Sequence, residues 1–222
     1  MNYLSLTQLK HQMVTPLQEA WQARQVLKRF PHMEATLAAY RKMYPYVGSS
    51  TSVSVNERTQ KGIEDDTLTY GETRWNSFIK LLDNIEIHPN DRFVDLGCGA
   101  GFLCFLMGQG LGIPALGVDL IEGFIGNAQR ICQDLSLSQP RFQQANIFDL
   151  EFLPFSILYA TCTCFPDELV EQLADKMEQT RPGTRIITVT NPIEAPYLHQ
   201  RKHFKLKYDW GLDYVFVAER KS

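Results

Sequence analysis

The chain has 222 residues, 44% apolar and 21% charged, with a net charge of −3 and a pI near 6.0. One large domain with an appendage fits that length. No apolar run reaches the ~18 residues a membrane-spanning helix needs, and the acidic balance offers no field for a phosphate backbone. Neither a membrane nor nucleic acid is therefore an expected partner. The start, MNYLSLTQLKHQM, lacks the basic and apolar regions of an export signal, so secretion is not expected. Five cysteines scattered through apolar segments fit reduced thiols and a cytoplasmic setting better than a disulfide framework. The pair Cys162 and Cys164 falls short of a zinc ligand set, so no metal is expected. Residues 1–45 carry six Lys or Arg against Glu19 and Glu34, which leaves the remainder at −7, a body that attracts cationic substrates.

Apolar residues at helical spacing come first: Leu6, Leu9, Met13, Leu17 and Trp21, then Val26, Leu27 and Phe30, then Leu37, Tyr40 and Met43 after Pro31. They predict two or three helices. The polar, Ser/Thr-rich stretch that follows, with an acidic cluster at Glu64, Asp65 and Asp66, reads as a long functional loop or hinge. Residues 1–66 are thus expected to be a helical extension and loop, and 67–222 the main domain. From Thr73 onward, helices near 73–86, 101–109, 122–136 and 167–180 alternate with short apolar runs near 91–96, 114–119, 140–145, 156–162 and 184–190. That alternation predicts an α/β fold with a parallel sheet buried on both faces. Asp167 is a candidate N-cap and Pro182-Gly183 a stop signal. Two alternating runs, HFKLKYDW and DYVFVAER, joined at Gly211-Leu212, predict a closing antiparallel hairpin.

The sharpest motif is FVDLGCGAGF at 93–102, a strand running through a glycine turn into a helix. Glycines at 97, 99 and 101 allow close backbone approach, and the helix start offers free N–H groups. A dinucleotide fingerprint would need glycine where Phe102 stands. Asp95 beside the turn repels phosphate and suits an ammonium group, which favours an amino-acid-bearing cofactor.

DLGCGAG resembles the first motif of class I S-adenosylmethionine-dependent methyltransferases, and the likeness extends over residues 70 to 190. It implies the Rossmann-like sheet of that class, mostly parallel with the antiparallel pair at its end. It also implies S-adenosylmethionine as cofactor, held by Asp95, Gly97, Gly99, Asp119, Asn146 and Ile147. Asp119 closes the second strand, where a carboxylate accepts from ribose hydroxyls; capping the next helix is the plainer alternative. Asn146-Ile147 stands where the family has Asp and an adenine-lining apolar residue.

Tyr70-Gly71-Glu72-Thr73, 25 residues before Asp95, resembles the YGET element of the non-SET lysine methyltransferases of the disruptor-of-telomeric-silencing type. The resemblance implies that Tyr70, Glu72 and Thr73 fold over the methionine end of the cofactor. A helix start capped by Thr69 or Thr73 is the alternative. The family's cofactor-contacting glutamine is replaced by Phe102, and its Asn-Asn-Phe element by residues 160–165. At matching positions, Thr161 offers a hydroxyl near the reacting methyl and Phe165 a wall of the lysine channel, which makes them the catalytic candidates. Tyr159 and Trp75 are expected to help dry the site, and His199 and His203, in the linker LHQRKHF, read as solvated loop histidines, with a place lining the site as the alternative. The expected partner is a methyl acceptor, a protein lysine first and a small metabolite second; a binder without turnover is the remaining alternative.

Overall fold

The computed structural model describes residues 16–46, 48–63, 70–73 and 75–222. The expected positions Leu6, Leu9 and Met13, the Leu17 side chain, the acidic cluster at 64–66 and Thr69 lie outside the described residues.

Helix α1 (Pro16–Arg29) opens on proline, whose missing N–H costs nothing there, and ends on Lys28 and Arg29 beside its carbonyl end. Its buried face is Gln22, Ala23, Val26 and Phe30, whereas Trp21 is 52% exposed. Steps of three and four back from Val26 and Phe30 select Gln22 and Ala23, and Trp21 falls off that face. Pro31 breaks the chain into a 3-10 turn (Pro31–Met33), and α2 (Glu34–Met43) then buries Thr36, Leu37 and Tyr40.

The polar stretch read as a loop contains a helix, α3 (Ser49–Lys61). Gly48 and Gly62 bracket it in left-handed conformations, at φ 81° and 63°. The N–H groups of Gly62 and Ile63 bond to the carbonyls of Thr59 and Arg58, closing its C-terminus. Its inner face is made of Ser49, Ser50 and Ser54, small enough for close packing but invisible to a hydrophobic pattern. α3 is pinned to the helix starting at Glu122. The Glu57 carboxylate accepts the N–H groups of Glu122 and Gly123 at 2.9 and 2.8 Å, and a Cβ on Gly123 would lie 2.7 Å from Val53 Cγ1.

The sheet contains β1 (Phe93–Leu96), β2 (Ala115–Asp119), β3 (Arg141–Gln144), β4 (Ile157–Thr161), β5 (Arg185–Val189), β6 (Leu198–Tyr208) and β7 (Gly211–Arg220). Its order is β3-β2-β1-β4-β5-β7-β6, with only β7 antiparallel to its neighbours. The five parallel strands fall within two residues of their expected ranges. The hairpin differs. β6 starts at Leu198, so His199 and His203 sit on a strand rather than in a linker, and both are exposed. Tyr208 pairs with Gly211, so the connection is Asp209-Trp210, while Gly211 and Leu212 open the return strand. Gly211 at φ 134° is what lets the chain reverse so early. β6 forms one edge of the sheet, carries exposed Arg201, Lys202, Lys205 and Lys207, and has a bulge between Gln200 and Lys202.

The remaining helices are α4 (Trp75–Leu82), α5 (Phe102–Phe105), which widens into a π turn over Leu106–Gly110, α6 (Glu122–Asp134) and α7 (Asp167–Met177). Pro166, not Asp167, occupies the N-cap of α7 and makes no side-chain cap bond; Asp167 sits in the first turn, where its charge meets the positive helix end. The core lies on both sheet faces. One cluster joins Val26, Phe30, Leu37 and Tyr40 of the N-terminal helices to Phe102, Phe105, Phe124 and Phe142; the other holds Val94, Leu96, Leu158, Leu173 and Met177.

Burial pushes the Glu57 carboxyl up, but Lys61 and the two backbone N–H groups outweigh it and hold it below its usual range. Its stabilisation is therefore complete above the ordinary carboxylate range and fades as pH falls through the lowered value. Glu57→Ala should cost about 1–2 kcal/mol, read as a lower urea midpoint at unchanged slope. A wild-type midpoint would show that the cap contributes nothing.

Candidate functional site

A cavity of about 540 Å³ lies over the carboxyl ends of β1, β2 and β4. Ten of the eleven expected site residues line it: Tyr70, Glu72, Thr73, Asp95, Gly97, Asp119, Asn146, Ile147, Thr161 and Phe165. Gly99 sits behind them and donates its N–H to Asp119 Oδ2 at 2.8 Å. The turn after β1 needs left-handed backbone at Gly97, Gly99 and Gly101, with φ of 83°, 50° and 78°. A Cβ at Gly99 would also meet the Tyr70 ring at 2.2 Å, so glycine there lets Tyr70 close down on the turn. Gly71 plays the same part toward Trp210, whose ring would lie 2.7 Å from its Cβ.

Three carboxylates converge on this space. Burial, then the charge of Asp119, pushes the Asp95 carboxyl up to about 8. Asp95 is 5% exposed, and none of the described residues donates a hydrogen bond to it. Asp119 accepts from Gly99 N–H and, at 2.9 Å, from Ile121 N–H, and burial raises it. It therefore braces the entry to α6, while the first two N–H groups of that helix go to Glu57. Glu72 receives the hydroxyls of Tyr40 at 3.0 Å and Ser50 at 2.8 Å, one on each oxygen. Burial, then Asp209, pushes its carboxyl up to about 7.

The YGET segment is tied down from both sides. Thr73 is buried and bridges to Tyr208 of β6, and the Tyr70 ring packs 4.6 Å from that of Phe124. Asn146 spends part of its carboxamide oxygen on the Phe148 N–H, at 3.0 Å, capping the short turn Ile147–Asp149.

On the β4 side the cavity wall holds Tyr159, Thr161, Thr163, Cys164 and Phe165. Among the described residues the buried Tyr159 hydroxyl has no partner at hydrogen-bonding geometry, although Thr73, Thr161 and Tyr208 lie around it; burial, then Asp95, pushes it up to about 12. Thr163 shares a 2.7 Å hydrogen bond with Thr190, whose hydroxyl donates to Asp213 at 2.6 Å; Trp210 Nε1 donates to the same carboxylate oxygen at 2.9 Å. Trp75, expected at this site, instead stacks on Phe102 at 4.5 Å, and neither His199 nor His203 reaches the cavity. Tyr40, Phe124 and Trp210 line it without having been expected to. Tyr40 and Phe124 carry the same sequence signal as core residues, and Trp210 was hidden in the hairpin connection.

The family model described as a methyltransferase domain matches residues 87–202. The chain belongs to the methyltransferase-domain family. The RNA methyltransferase of Salinibacter ruber in complex with S-adenosylhomocysteine is similar in fold, with a TM-score of 0.58 and 15% identity over 68% of this chain and 94% of that one. A mutant of MtNAS in complex with S-adenosylmethionine has a TM-score of 0.55 and 14% identity, covering 86% of this chain and 80% of that one. Among curated relatives, methyltransferase phqN of Penicillium fellutanum is 28% identical over 47% of this methyltransferase and 33% of its own length. A histone-lysine N-methyltransferase, H3 lysine-79 specific, of Dictyostelium discoideum is 26% identical over 46% of this chain and 6% of its own length. The methyltransferase thus spans a third or less of the curated relatives it matches.

The residues present fit the donor. Asp95 is a buried carboxylate short of a donor, as an ammonium group requires. A Cβ at Gly97 would meet nothing within 4 Å, so that backbone is open to a ligand. Asp119 has lone pairs left for hydroxyls.

Asp95 gives a pH test. In the unfolded chain it loses its proton near 3.8, whereas in the fold it keeps it to about 8. The folded state holds the extra proton over that window, so the contribution of this group is full below the lower value and is lost as pH rises through the upper. Asp95→Asn should flatten the fall in melting temperature of the ligand-free enzyme across this range. An unchanged pH slope would count against a desolvated Asp95.

Proposed function

We propose that this methyltransferase transfers its methyl group to an amine nitrogen, the side-chain amine of a protein lysine being the first candidate. The observation that carries this reading is the set of three enclosed carboxylates, Glu72, Asp95 and Asp119, around one cavity that is also lined by the rings of Tyr70, Phe102, Phe124, Phe165 and Trp210. Such a site favours cations, and both an amine acceptor and a sulfonium donor are cationic. The YGET segment and the histone-lysine relative support the lysine acceptor. A small-molecule amine is the second reading, favoured by the roof that α2 and α3 build over Glu72 through Tyr40 and Ser50.

In this reading Asp95 takes the ammonium of the donor, Gly97 and Gly99 give its backbone room, and Asp119 accepts from the ribose hydroxyls. Asn146 and Ile147 flank the adenine, and Tyr70 and Thr73 cover the methionine end. When bound, S-adenosylmethionine supplies a methyl activated by its sulfonium. The chain's own work is to hold the acceptor in line and keep the channel dry. Phe165, Tyr159 and Trp210 keep water from the point of transfer, and Thr161 places a hydroxyl near the reacting methyl. The N-terminal helices α1 to α3 present the acceptor, and the reduced cysteines support a cytoplasmic setting.

Tritiated methyl labelling of a proteome and of a small-amine panel tests the acceptor; label found on oxygen or carbon alone would overturn the reading. Asp119→Ala should weaken S-adenosylhomocysteine binding by about 1–3 kcal/mol in calorimetry. Undiminished affinity would leave Asp119 a brace for α6 and nothing more.

A further inference from the structure

A second cavity, of about 490 Å³, lies between the N-terminal helices and the YGET segment. It meets the first at one wall: Tyr40, Glu72 and Thr73 line both. Its other described walls are unlike those of the donor cavity. The first turn of α3 contributes hydroxyls from Ser49, Ser50, Thr51 and Ser52, and the chamber's charged groups are Glu19, Glu72 and Asp209 against Arg41. Ser49 is only 8% exposed, yet among the described residues its hydroxyl has no hydrogen-bond partner. A buried hydroxyl left unpaired costs free energy unless a ligand or water completes it.

The geometry points to this chamber as the binding site of the acceptor's alkylammonium group, with Glu72 at the shared wall as the catalytic residue that takes the ammonium proton. This inference rests on the amine reading of the function. Three acidic groups draw the cation in, and the hydroxyls of α3 replace the water it leaves. At the wall an ammonium N–H bond breaks and a Glu72 O–H bond forms, so the nitrogen recovers its lone pair and the carboxylate becomes a neutral acid. The proton then passes from Glu72 to water in the chamber that Glu72 lines. Tyr40 and Ser50 hold the two carboxylate oxygens in place, one hydroxyl on each. Two sources supply the same chemistry, a free diamine and a lysine side chain.

Binding and turnover are read separately. The S-adenosylhomocysteine complex is titrated by calorimetry with 1,5-diaminopentane and, in a second arm, with a lysine-bearing peptide; the arm that saturates identifies the source. Asn56 lines only this chamber and is exposed. Asn56→Trp should therefore raise the amine Kd at least ~10-fold while S-adenosylhomocysteine affinity stays at wild type, a contrast that also certifies the fold. Glu72→Gln keeps the size of the side chain, its Oε1 accepting from one hydroxyl and its Nε2 donating to the other, but supplies no base, and should lower kcat about 10²-fold. It should also remove an inflection in kcat near pH 7, below which protonated Glu72 is inactive. That inflection is set by burial of Glu72, by Asp209 and Glu19, and by the hydroxyls of Tyr40 and Ser50, with Arg41 the cation on the same chamber. Absence of amine binding in both arms, equal affinity in Asn56→Trp, or an unaltered pH profile in Glu72→Gln would overturn the inference. Amine binding without methylation would leave the chamber standing and overturn the proposed reaction instead.

Discussion

The hydrogen bond from Tyr40 to Glu72 is the contact on which the rest of the site depends. The Tyr40 ring is 2% exposed and stands edge-on to Trp75, Phe102 and Phe105, at centroid distances of 5.7, 5.1 and 6.4 Å. One side chain of α2 therefore touches the helix that follows the glycine turn, the helix that follows the YGET segment, and the carboxylate between the two cavities. Glu72 is half-buried, and the hydroxyls of Tyr40 and Ser50 stand in for the water that the N-terminal helices exclude from it, so those helices cannot leave without changing its environment. They cannot shift far either, because Glu57 caps α6 from α3 and Val53 lies against Gly123, where any larger residue would collide.

That dependence changes what the N-terminal segment is. By sequence it looked like an appendage, amphipathic helices followed by a polar hinge. In the fold, Val26, Phe30, Leu37 and Tyr40 join the same apolar cluster as Phe105 and Phe124 of the main sheet face. The donor cavity, the second chamber and the packing of α1 and α2 are consequently one cooperative arrangement, and a change in any of them is felt at Glu72.

The strands were legible because a parallel sheet buried on both faces needs nearly unbroken apolar runs, and such runs have little else to be. The glycine turn was legible because left-handed backbone at Gly97, Gly99 and Gly101 excludes most residues. α3 was not, because its packing surface is serine: burial by small size leaves no hydrophobic period to read. Trp21 misled for the opposite reason, as a large apolar residue one position off the buried face of α1. The Glu57 cap joins residues some 65 apart in sequence, so no local pattern announces it. In the candidate site the acidic residues could be found from motifs. What met them could not: Tyr40 and Ser50 lie outside every motif and arrive at Glu72 only through folding.

The edge formed by β6 has a consequence for the molecule in a crowded solution. The outer edge of this eleven-residue strand, which β7 pairs on its other side and Thr73 meets at Tyr208, is a template on which any extended chain can add hydrogen bonds, another copy of itself included. Here Arg201, Lys202, Lys205 and Lys207 line that strand, so a second β6 laid antiparallel against it would bring cation against cation along its length. The bulge between Gln200 and Lys202 breaks the even spacing of donors and acceptors that a continuous ladder requires. The last strand of the sheet thereby repels its own kind, and fibre growth from this edge is discouraged by charge before any contact forms.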